Sequence, residues 1–502
     1  MSPAAFLAII AVYFVLLLGL AWATGRHADN ESFFIGNRKS NWMLVAFGMV
    51  GTSLSGVTFV SVPGTVGSNG FHYLQVVIGN WIGFMAIAFV LLPLYYRLRL
   101  TSIYDYLDQR FGATAHKTGA GFFILSRTLG ATARLYLVVA VLQLLVAGPA
   151  GVPFWVTAAV ILAMIWLYTF QGGVKTIVFT DTLQTACMLG GLVICIAILV
   201  GLLGGDASGL IAQLADSPLT RVWNTDAASA GFWLKQVVGG AVIAIAMSGL
   251  DQEMMQKNIS VPRLADSQKN MVTFSLVLVA VNVLFLTLGA LLALYAQAHG
   301  VGARGDQLFA TVVIEVFPAW VQAVFFIALV SALFPSADGA LTALTASTCI
   351  DLIGMQSRKD WDEARRTRVR RAVHLGFALL FFAIVMAFKA LNDRSIIDTI
   401  LTLAGYTYGP LLGLFAFGML TVRRLPEGWP IVAVALVAPA ACYALQRALA
   451  ANPAGYQIGI ELLLLNGALT FGFLWLLSKP GGGPAHTIAA GPAAGPATDR
   501  QP

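Results

Sequence analysis

Long apolar segments recur along the whole chain and constrain its fold more than any other feature. About thirteen of these segments reach the roughly 20 residues that a helix needs to cross the hydrocarbon core of a bilayer. Only 11% of the 502 residues are charged, against about 25% in a typical soluble domain. The sequence therefore predicts an all-α polytopic membrane protein. Its expected spans are 4–24, 42–70, 73–97, 119–147, 152–170, 179–203, 232–256, 270–296, 317–350, 371–390, 396–420, 429–448 and 457–477.

The positions of the basic residues predict how the chain lies in the membrane. The formal net charge is +7, and most of the 30 lysines and arginines, Arg110 and Lys257 among them, fall in loops on one side of the predicted spans. Basic loops stay on the cytoplasmic side, so we expect an outside N-terminus, a cytoplasmic C-terminus and a location in the inner or plasma membrane. Topology thus accounts for the charge, and no nucleic-acid partner is implied. The expected partners are the lipid bilayer and a small-molecule solute, and no obligate protein partner is inferred.

The span at 42–70 has a poor helix former at its centre. Residues 51–56, GTSLSG, combine two glycines with hydroxyl side chains that compete for backbone hydrogen bonds. An opened helix is tolerated inside a membrane only where protein encloses it or where it lines a wet cavity. Its freed carbonyls, together with hydroxyls, form an oxygen cage for a hard cation, which is how transporters use interrupted helices. The alternative interpretation is a small-residue contact between intact helices.

Ionisable residues inside the spans are costly and usually have a function. Arg127 and Arg134 share one face of the span at 119–147, and Arg134 lies near the middle of the membrane. Arg134 either binds a substrate carboxylate, contacts a set of carbonyls, or forms an internal ion pair with a residue such as Asp181 or Asp338. Asp338 lies in a hydroxyl-rich stretch after Pro335. Such an oxygen-rich environment suits a small hard cation better than Zn or Fe.

A second helix break is predicted in the span at 396–420. Gly405, Gly409 and Pro410 fall at its centre, and proline removes a helical hydrogen bond. The neighbouring tyrosines either gate a cavity or pack in the core. The polar side chains that could face a solute are Tyr406 and Tyr408 in this span and Gln75 and Asn80 in the span at 73–97.

Several motifs together resemble the sodium:solute symporter family. In order, they are TSIYDYLDQRFG, QGGVKTIVFTDTLQ, GLDQEMMQKN, PSADGALTALTASTCIDL and GYTYGPLLGLF. The resemblance extends to about residue 477 and implies the leucine-transporter fold, in which two five-helix repeats have inverted topologies. One transporter domain, 1–477, would then contain a leading helix (4–24), repeats at 41–203 and 231–420, and trailing helices at 429–477, before a disordered cytoplasmic tail at 478–502. The two predicted breaks would fall in the first and last of the ten repeat helices.

The resemblance also implies where cations bind. The implied sodium ligands are the carbonyls of Gly51, Leu54 and Ala332 and the hydroxyl of Ser336. Pro335 stands where the family commonly has another hydroxyl, so this ligand is either lost or replaced by a carbonyl. A possible second cation site matches Asp181 and Asp338, and the alternative there is a salt bridge to Arg127 or Arg134.

The solute is expected beside the first broken helix. Ser55 and Thr58 match hydroxyls that hold a carboxylate in the sialic-acid branch, and Arg134 lies about one turn from the arginine that assists them. Asp251 and Gln252 match a polar pair that helps line the sugar site of sugar-carrying members. The complete expected set is Ser53, Ser55, Thr58, Gln75, Asn80, Arg134, Asp251, Gln252, Tyr406 and Tyr408.

These features predict sodium-coupled import of a small polar organic solute, with Na⁺ as the coupling ion and no organic cofactor. We favour a carboxylate or another anion, and a sugar, a polyol or another neutral solute is the alternative. Proton coupling through Asp181 or Asp338 is the mechanistic rival. A transporter-like sensor would need an output domain, and the short tail offers none. An enzyme would need a convergent catalytic set, which the 6 histidines do not supply.

Overall fold

The structure is a computed structural model that describes residues 3–25, 30–204, 207–227, 229–391, 396–450, 456 and 458–481. The regular elements of these ranges are helices. In addition, one isolated antiparallel bridge pairs Arg424 with Lys479. The larger helices are α1 (Pro3–Gly25), α2 (Trp42–Ser53), α3 (Gly56–Asn69), α4 (Tyr73–Arg97), α5 (Ala113–Leu142), α6 (Phe154–Leu202), α7 (Trp233–Gly249), α8 (Gln252–Ile259), α9 (Leu264–His299), α10 (Ala319–Leu352), α11 (Glu363–Leu391), α12 (Ile396–Leu420), α13 (Trp429–Ala450) and α14 (Leu462–Leu477). A kink at Gly173, with φ 52° and ψ −141°, divides α6 into two apolar helices, Phe154–Phe170 and Gly172–Leu202. Shorter helices cover Asn30–Ile35, Asp105–Phe111, Ala207–Ala215 and Asp306–Val316.

These helices confirm the polytopic all-α prediction. Within the described ranges, 9 helices are long and apolar enough to cross a bilayer, and 2 further pairs pass the same test when each bent pair is taken as one span. Two shorter apolar helices, Phe154–Phe170 and Leu462–Leu477, complete the set. Each predicted span coincides with one of these elements. Large apolar side chains such as Leu16, Trp22 and Leu436 are exposed on the outer helices, as expected of surfaces that face lipid rather than water.

The first predicted break is present. Helix α2 ends at Ser53, α3 begins at Gly56, and the two halves are bent by 56°. Leu54 leaves the helical region, with φ −89° and ψ 86°, while its N–H still bonds to the carbonyl of Val50. The bend therefore ends the backbone ladder of α2 and leaves the segment around Leu54 without the regular helical pairing.

The second break was predicted in the wrong helix. Helix α12 continues through Pro410, because a neighbouring side chain replaces the hydrogen bond that proline removes. Proline cannot donate to the carbonyl four residues earlier, which belongs to Tyr406. The Asn466 amide of α14 donates to that carbonyl at 3.1 Å and to the carbonyl of Gly405 at 2.9 Å. Gly405 and Gly409 serve close packing of α12 against α14 rather than a break.

The second break lies instead between α7 and α8, which are bent by 65°. Leu250 has φ −108° and ψ 17°, and the next residue, Asp251, caps α8 through bonds from the backbone N–H groups of Glu253 and Met254. With the predicted repeat boundaries, each repeat thus begins with a broken helix. This arrangement is more symmetrical than the predicted one.

Two basic residues assigned to solvated loops are buried. Lys257 lies in α8 with 3% of its surface exposed. Arg110 is buried beside the end of α12, where its guanidinium donates to the carbonyls of Gly418, Thr421 and Arg423. Free carbonyls at a helix C-terminus attract a cation, so burial of Arg110 has a structural reason. The predicted orientation in the membrane stays a prediction.

The predicted tail begins with ordered backbone. Arg424 and Lys479 exchange backbone hydrogen bonds of 3.2 and 3.0 Å. The prediction of disorder is therefore wrong for the first residues of the tail. Residues 482–502, to which the rest of that prediction applies, lie outside the described residues.

Candidate cation and solute sites

A cavity of about 180 Å³ lies beside the first break. Its polar wall includes five residues that the sequence singled out for solute binding, namely Ser53, Ser55, Thr58, Asn80 and Arg134. Apolar side chains, such as Val62, Phe84 and Leu278, form much of the remaining wall. The helix break thus opens onto a cavity with a few polar groups set in an apolar lining, the usual character of a small-molecule site.

The two arginines of α5 have different environments. Arg127 is buried, contacts the Glu253 carboxylate and lies 3.7 Å from Asp251 Oδ2. Arg134 is half-buried in the cavity wall, and no ion pair joins it to a carboxylate among the described residues. The internal ion pairs considered for Arg134 do not form, because other side chains occupy both Asp181 and Asp338.

Two asparagines add amide groups to the same wall. The Oδ1 atom of Asn80 is buried without a hydrogen-bond partner among the described residues, and the Asn282 amide donates to the carbonyl of Leu278 at 2.8 Å. A buried polar atom without a partner is costly unless water or a ligand meets it. Asn80 is therefore suited to bond a solute in the cavity.

Three other candidates lie outside this wall and connect elements of the scaffold. Gln75 donates to the carbonyl of His72 at 3.0 Å. Gln252 donates to the carbonyl of Thr101 at 3.1 Å and accepts from the N–H of Ile103 at 3.0 Å. The Asp251 carboxylate caps α8, as described above. The bonds of Gln252 and Asp251 fix the second break in position, whereas the bond of Gln75 lies at the start of α4.

The two tyrosines of α12 also point away from the cavity wall. Tyr408 is buried, and its hydroxyl donates to Asp251 Oδ2 at 2.9 Å. Tyr406 lies on another face, where its hydroxyl contacts Gln446 of α13. Tyr408 thus connects α12 to the second break, whereas Tyr406 connects it to a trailing helix.

The elements that would carry the sodium ligands do meet. A side chain at Gly51 would collide with Thr185 and would lie 3.5 Å from the ring of Pro335, so α2 approaches both α6 and α10 closely at this point. Ala332 and Ser336 are buried on α10. Pro335 cannot donate to the Ser331 carbonyl, so the α10 backbone offers an oxygen near the opened segment of α2.

The ammonium of Lys257 lies at the possible second cation site. The ammonium of Lys257 lies 2.7 Å from Asp181 Oδ2, 2.6 Å from Thr52 Oγ1 and 3.7 Å from Glu253 Oε1. Asp338 Oδ2 accepts a 2.5 Å hydrogen bond from Tyr168. Neither carboxylate pairs with Arg127 or Arg134 within the described residues.

From the sequence alone, no site role was assigned to Lys257 or Glu253. They are four residues apart, in GLDQEMMQKN, directly after an apolar span. Residues at this spacing share one face of a helix. The predicted span at 232–256 already contains Glu253, and extending it by one residue would have placed both charges in one buried cluster.

The fold and these sites define a class of membrane transporter, and comparison with known proteins agrees. The model of the sodium:solute symporter family matches residues 33–428, and the chain belongs to this family. The family consists of sodium-coupled transporters and not of enzymes. Among solved structures, a substrate-bound, outward-open Na⁺-coupled sialic acid symporter has a TM-score of 0.81 to this chain, at 17% identity, over 94% of this chain and 98% of the other. This similarity confirms the leucine-transporter fold.

Characterised relatives carry different solutes. The human sodium/iodide cotransporter is 25% identical over 418 residues, which are 80% of this chain and 63% of the relative. The rabbit (Oryctolagus cuniculus) sodium-dependent multivitamin transporter is 25% identical over 445 residues, 84% of this chain and 66% of the relative. The chain therefore spans slightly less than two-thirds of the length of these two proteins. The sodium/sialic acid symporter SiaT of Proteus mirabilis is 21% identical over 437 residues, 84% and 85% of the two chains.

Proposed function

We propose that the protein is a sodium-coupled symporter that imports a small organic anion, with a carboxylate as the recognised group. The observation that carries this proposal is Arg134, a cation in the cavity wall that has no carboxylate partner among the described residues. Guanidinium groups stay charged in proteins and bind carboxylates through two parallel hydrogen bonds. The hydroxyls of Ser55 and Thr58 line the same cavity and can complete the shell around the carboxylate.

Charge balance supports an anionic solute. The charge of Arg127 is compensated by Glu253 and Asp251, whereas no carboxylate of the described residues lies within ion-pair distance of Arg134. An uncompensated cation at membrane depth is unfavourable. An anion entering the cavity would offset this cost, whereas a neutral solute would leave it.

The cavity size favours a small solute. An apolar cavity of roughly 150 Å³ accommodates one benzene molecule, so the cavity of about 180 Å³ is suited to a solute of roughly six to ten heavy atoms. Its apolar wall can pack against a short carbon chain. We therefore propose a short-chain carboxylic acid rather than a molecule as large as a sialic acid.

Sodium and solute would bind at opposite sides of the same opened segment. The proposed ligands at Gly51 and Leu54 alternate with Ser53 and Ser55 along the chain, so both would order the same backbone. An ion that orders this segment lowers the ordering cost of solute binding. Sodium binding would thereby favour the solute-binding state, and the inward sodium gradient would drive import.

The experiment is a thermal-shift screen of the purified protein against carboxylates and their neutral analogues, such as lactate and 1,2-propanediol, in sodium or in choline. We expect a small carboxylate to raise the melting temperature in the sodium buffer but not in the choline buffer. Uptake at fixed pH with sodium replaced by choline tests the coupling ion. Undiminished uptake would overturn sodium coupling in favour of the proton-coupled rival.

A neutral solute is the second candidate, and the amides of Asn80 and Asn282 in the cavity wall are the observation that favours it. Amide groups donate to and accept from hydroxyls, which suits a sugar or polyol. In the same screen, stabilisation by a polyol and by no carboxylate would support this candidate against the anion.

A further inference from the structure

We propose that the ammonium of Lys257 takes the place of a second coupling cation, so that the protein binds one sodium ion in each transport cycle. This inference rests on the proposed sodium symport, because it concerns the ion count of that cycle. It gives a function to a buried lysine that the proposed mechanism does not otherwise use.

The surroundings of Lys257 resemble those of a bound cation. Lys257 as a whole is 3% exposed, and its nitrogen has oxygen neighbours from three helices: Thr52 of α2, Asp181 of α6 and Glu253 of α8. A carboxylate and a hydroxyl at this separation are the ligands that a hard cation would use. The lysine supplies the same positive charge on a covalent tether.

A sodium ion could not share this position with the ammonium. Both are unit positive charges, and their repulsion is strong in a buried environment. Asp181 Oδ2 and Thr52 Oγ1 already point at the lysine nitrogen, at 2.7 and 2.6 Å. Sodium would have to displace the ammonium, which would leave a desolvated lysine without its partner.

The rest of the possible second site is also altered. Asp338 Oδ2 is engaged with the Tyr168 hydroxyl. The neighbouring Gly339 has no side chain to offer an oxygen, and the space in front of it is filled by the Glu253 carboxylate. Glu253 is in turn held by Arg127. Side chains of this chain therefore occupy one carboxylate oxygen of Asp181, one of Asp338 and the space in front of Gly339, while Oδ1 of each aspartate has no hydrogen-bond partner among the described residues.

The tethered charge also connects the two broken helices. Lys257 follows the second break, and Thr52 lies in the turn of α2 just before the first break. A free ion at this position would bind and leave with each cycle, but a lysine cannot leave. The contact would therefore hold α2, α6 and α8 together without contributing to the driving force.

The test is the number of sodium ions bound per chain, measured with ²²Na⁺ on the purified full-length protein. We expect one ion for the wild type, two for Lys257→Ala, and one for the double variant Lys257→Ala/Asp181→Asn, which removes both members of the pair. Lys257→Arg, which keeps the charge, serves as the matched control and should bind one ion.

The outcomes separate this inference from the proposed function. Two ions in the wild type, or one in a folded Lys257→Ala, would overturn the tethered-cation role while leaving symport intact. If Lys257→Ala does not fold, the number of sodium ions bound by the wild type still tests the inference, because two ions would overturn it. No sodium binding in the wild type would instead refute the proposed sodium coupling itself.

Discussion

Arg127 and Arg134 are separated by two helical turns on α5 and yet have opposite roles in the structure. Arg127 compensates the carboxylates that the second break brings to it, Glu253 and Asp251. Both side chains line the cavity, but Arg134 forms no ion pair with a carboxylate among the described residues. The difference arises because a guanidinium at membrane depth needs an anion, and the protein supplies one to only the first of these two residues within the described ranges.

Arg134→Ala should weaken binding of the carboxylate solute by about tenfold or more, because hydrogen bonds to charged groups contribute about 1.5–3 kcal/mol each. Arg134→Lys should bind at an intermediate level, since it keeps the charge but loses the fork geometry. Titration calorimetry in saturating sodium measures both. The matched control is Arg221→Ala, at an exposed arginine outside the cavity, and unchanged affinity in Arg134→Ala would rule out the anion-binding role.

Ser336→Ala should raise the sodium concentration for half-maximal uptake, because it would remove a proposed ligand while α10 stays helical. If this oxygen ligand contributes about 1 kcal/mol to sodium binding, its loss would raise the half-maximal sodium concentration roughly fivefold. Sodium titrations of solute uptake in proteoliposomes measure this. Ser347→Ala, near the C-terminal end of the same helix, is the control, and an identical sodium response in both variants would remove Ser336 from the proposed site.

At the scale of elements, the two spans that were predicted to break at their glycines behave differently because their neighbours differ. Between α2 and α3, the backbone opens next to α6 and α10, and Leu54 keeps a non-helical conformation there. In α12, Asn466 supplies the donor that Pro410 lacks. Whether a poor helix former becomes a break thus depends on the adjacent helix.

Asn466→Leu should lower the thermal stability of the protein, because it leaves the carbonyl of Tyr406, to which Pro410 cannot donate, without its buried donor. Each unsatisfied group costs about 1–3 kcal/mol. The double variant Asn466→Leu/Pro410→Ala should recover part of this loss, since replacing the proline restores a backbone N–H that can donate to the Tyr406 carbonyl. Thermal unfolding in detergent compares the variants. Equal melting temperatures for Asn466→Leu and for Asn466→Leu/Pro410→Ala would contradict the proposed compensation.

At the scale of the whole molecule, the two breaks meet around one buried polar region inside an apolar exterior. Asp181 of α6 contacts Lys257 of α8, Arg127 of α5 contacts Glu253, and the cavity borders α3, α4, α5, α7 and α9. Each of these charges would be costly alone in a membrane. Paired, they hold helices from both predicted repeats around the proposed ion and solute sites.

Sodium and solute should raise each other's affinity by the same factor, since coupling between two binding sites is reciprocal. A coupling of about 1–3 kcal/mol gives roughly a 5- to 150-fold change. Solute affinity measured at low and saturating sodium, and sodium affinity measured with and without solute, should give one common factor. Solute affinity that is independent of sodium would contradict a shared opened segment.

The apolar spans, the first break and the family resemblance follow from the sequence alone, because they depend on the composition and backbone preferences of contiguous residues. The partners of charged and polar side chains depend on which helices pack together. Lys257 and Asp181 are 76 residues apart, and Asn466 and Tyr406 are 60 apart. Local sequence holds no information on such contacts, so only the tertiary structure assigned Lys257 to Asp181, closed the expected break in α12, and left Arg134 facing the cavity.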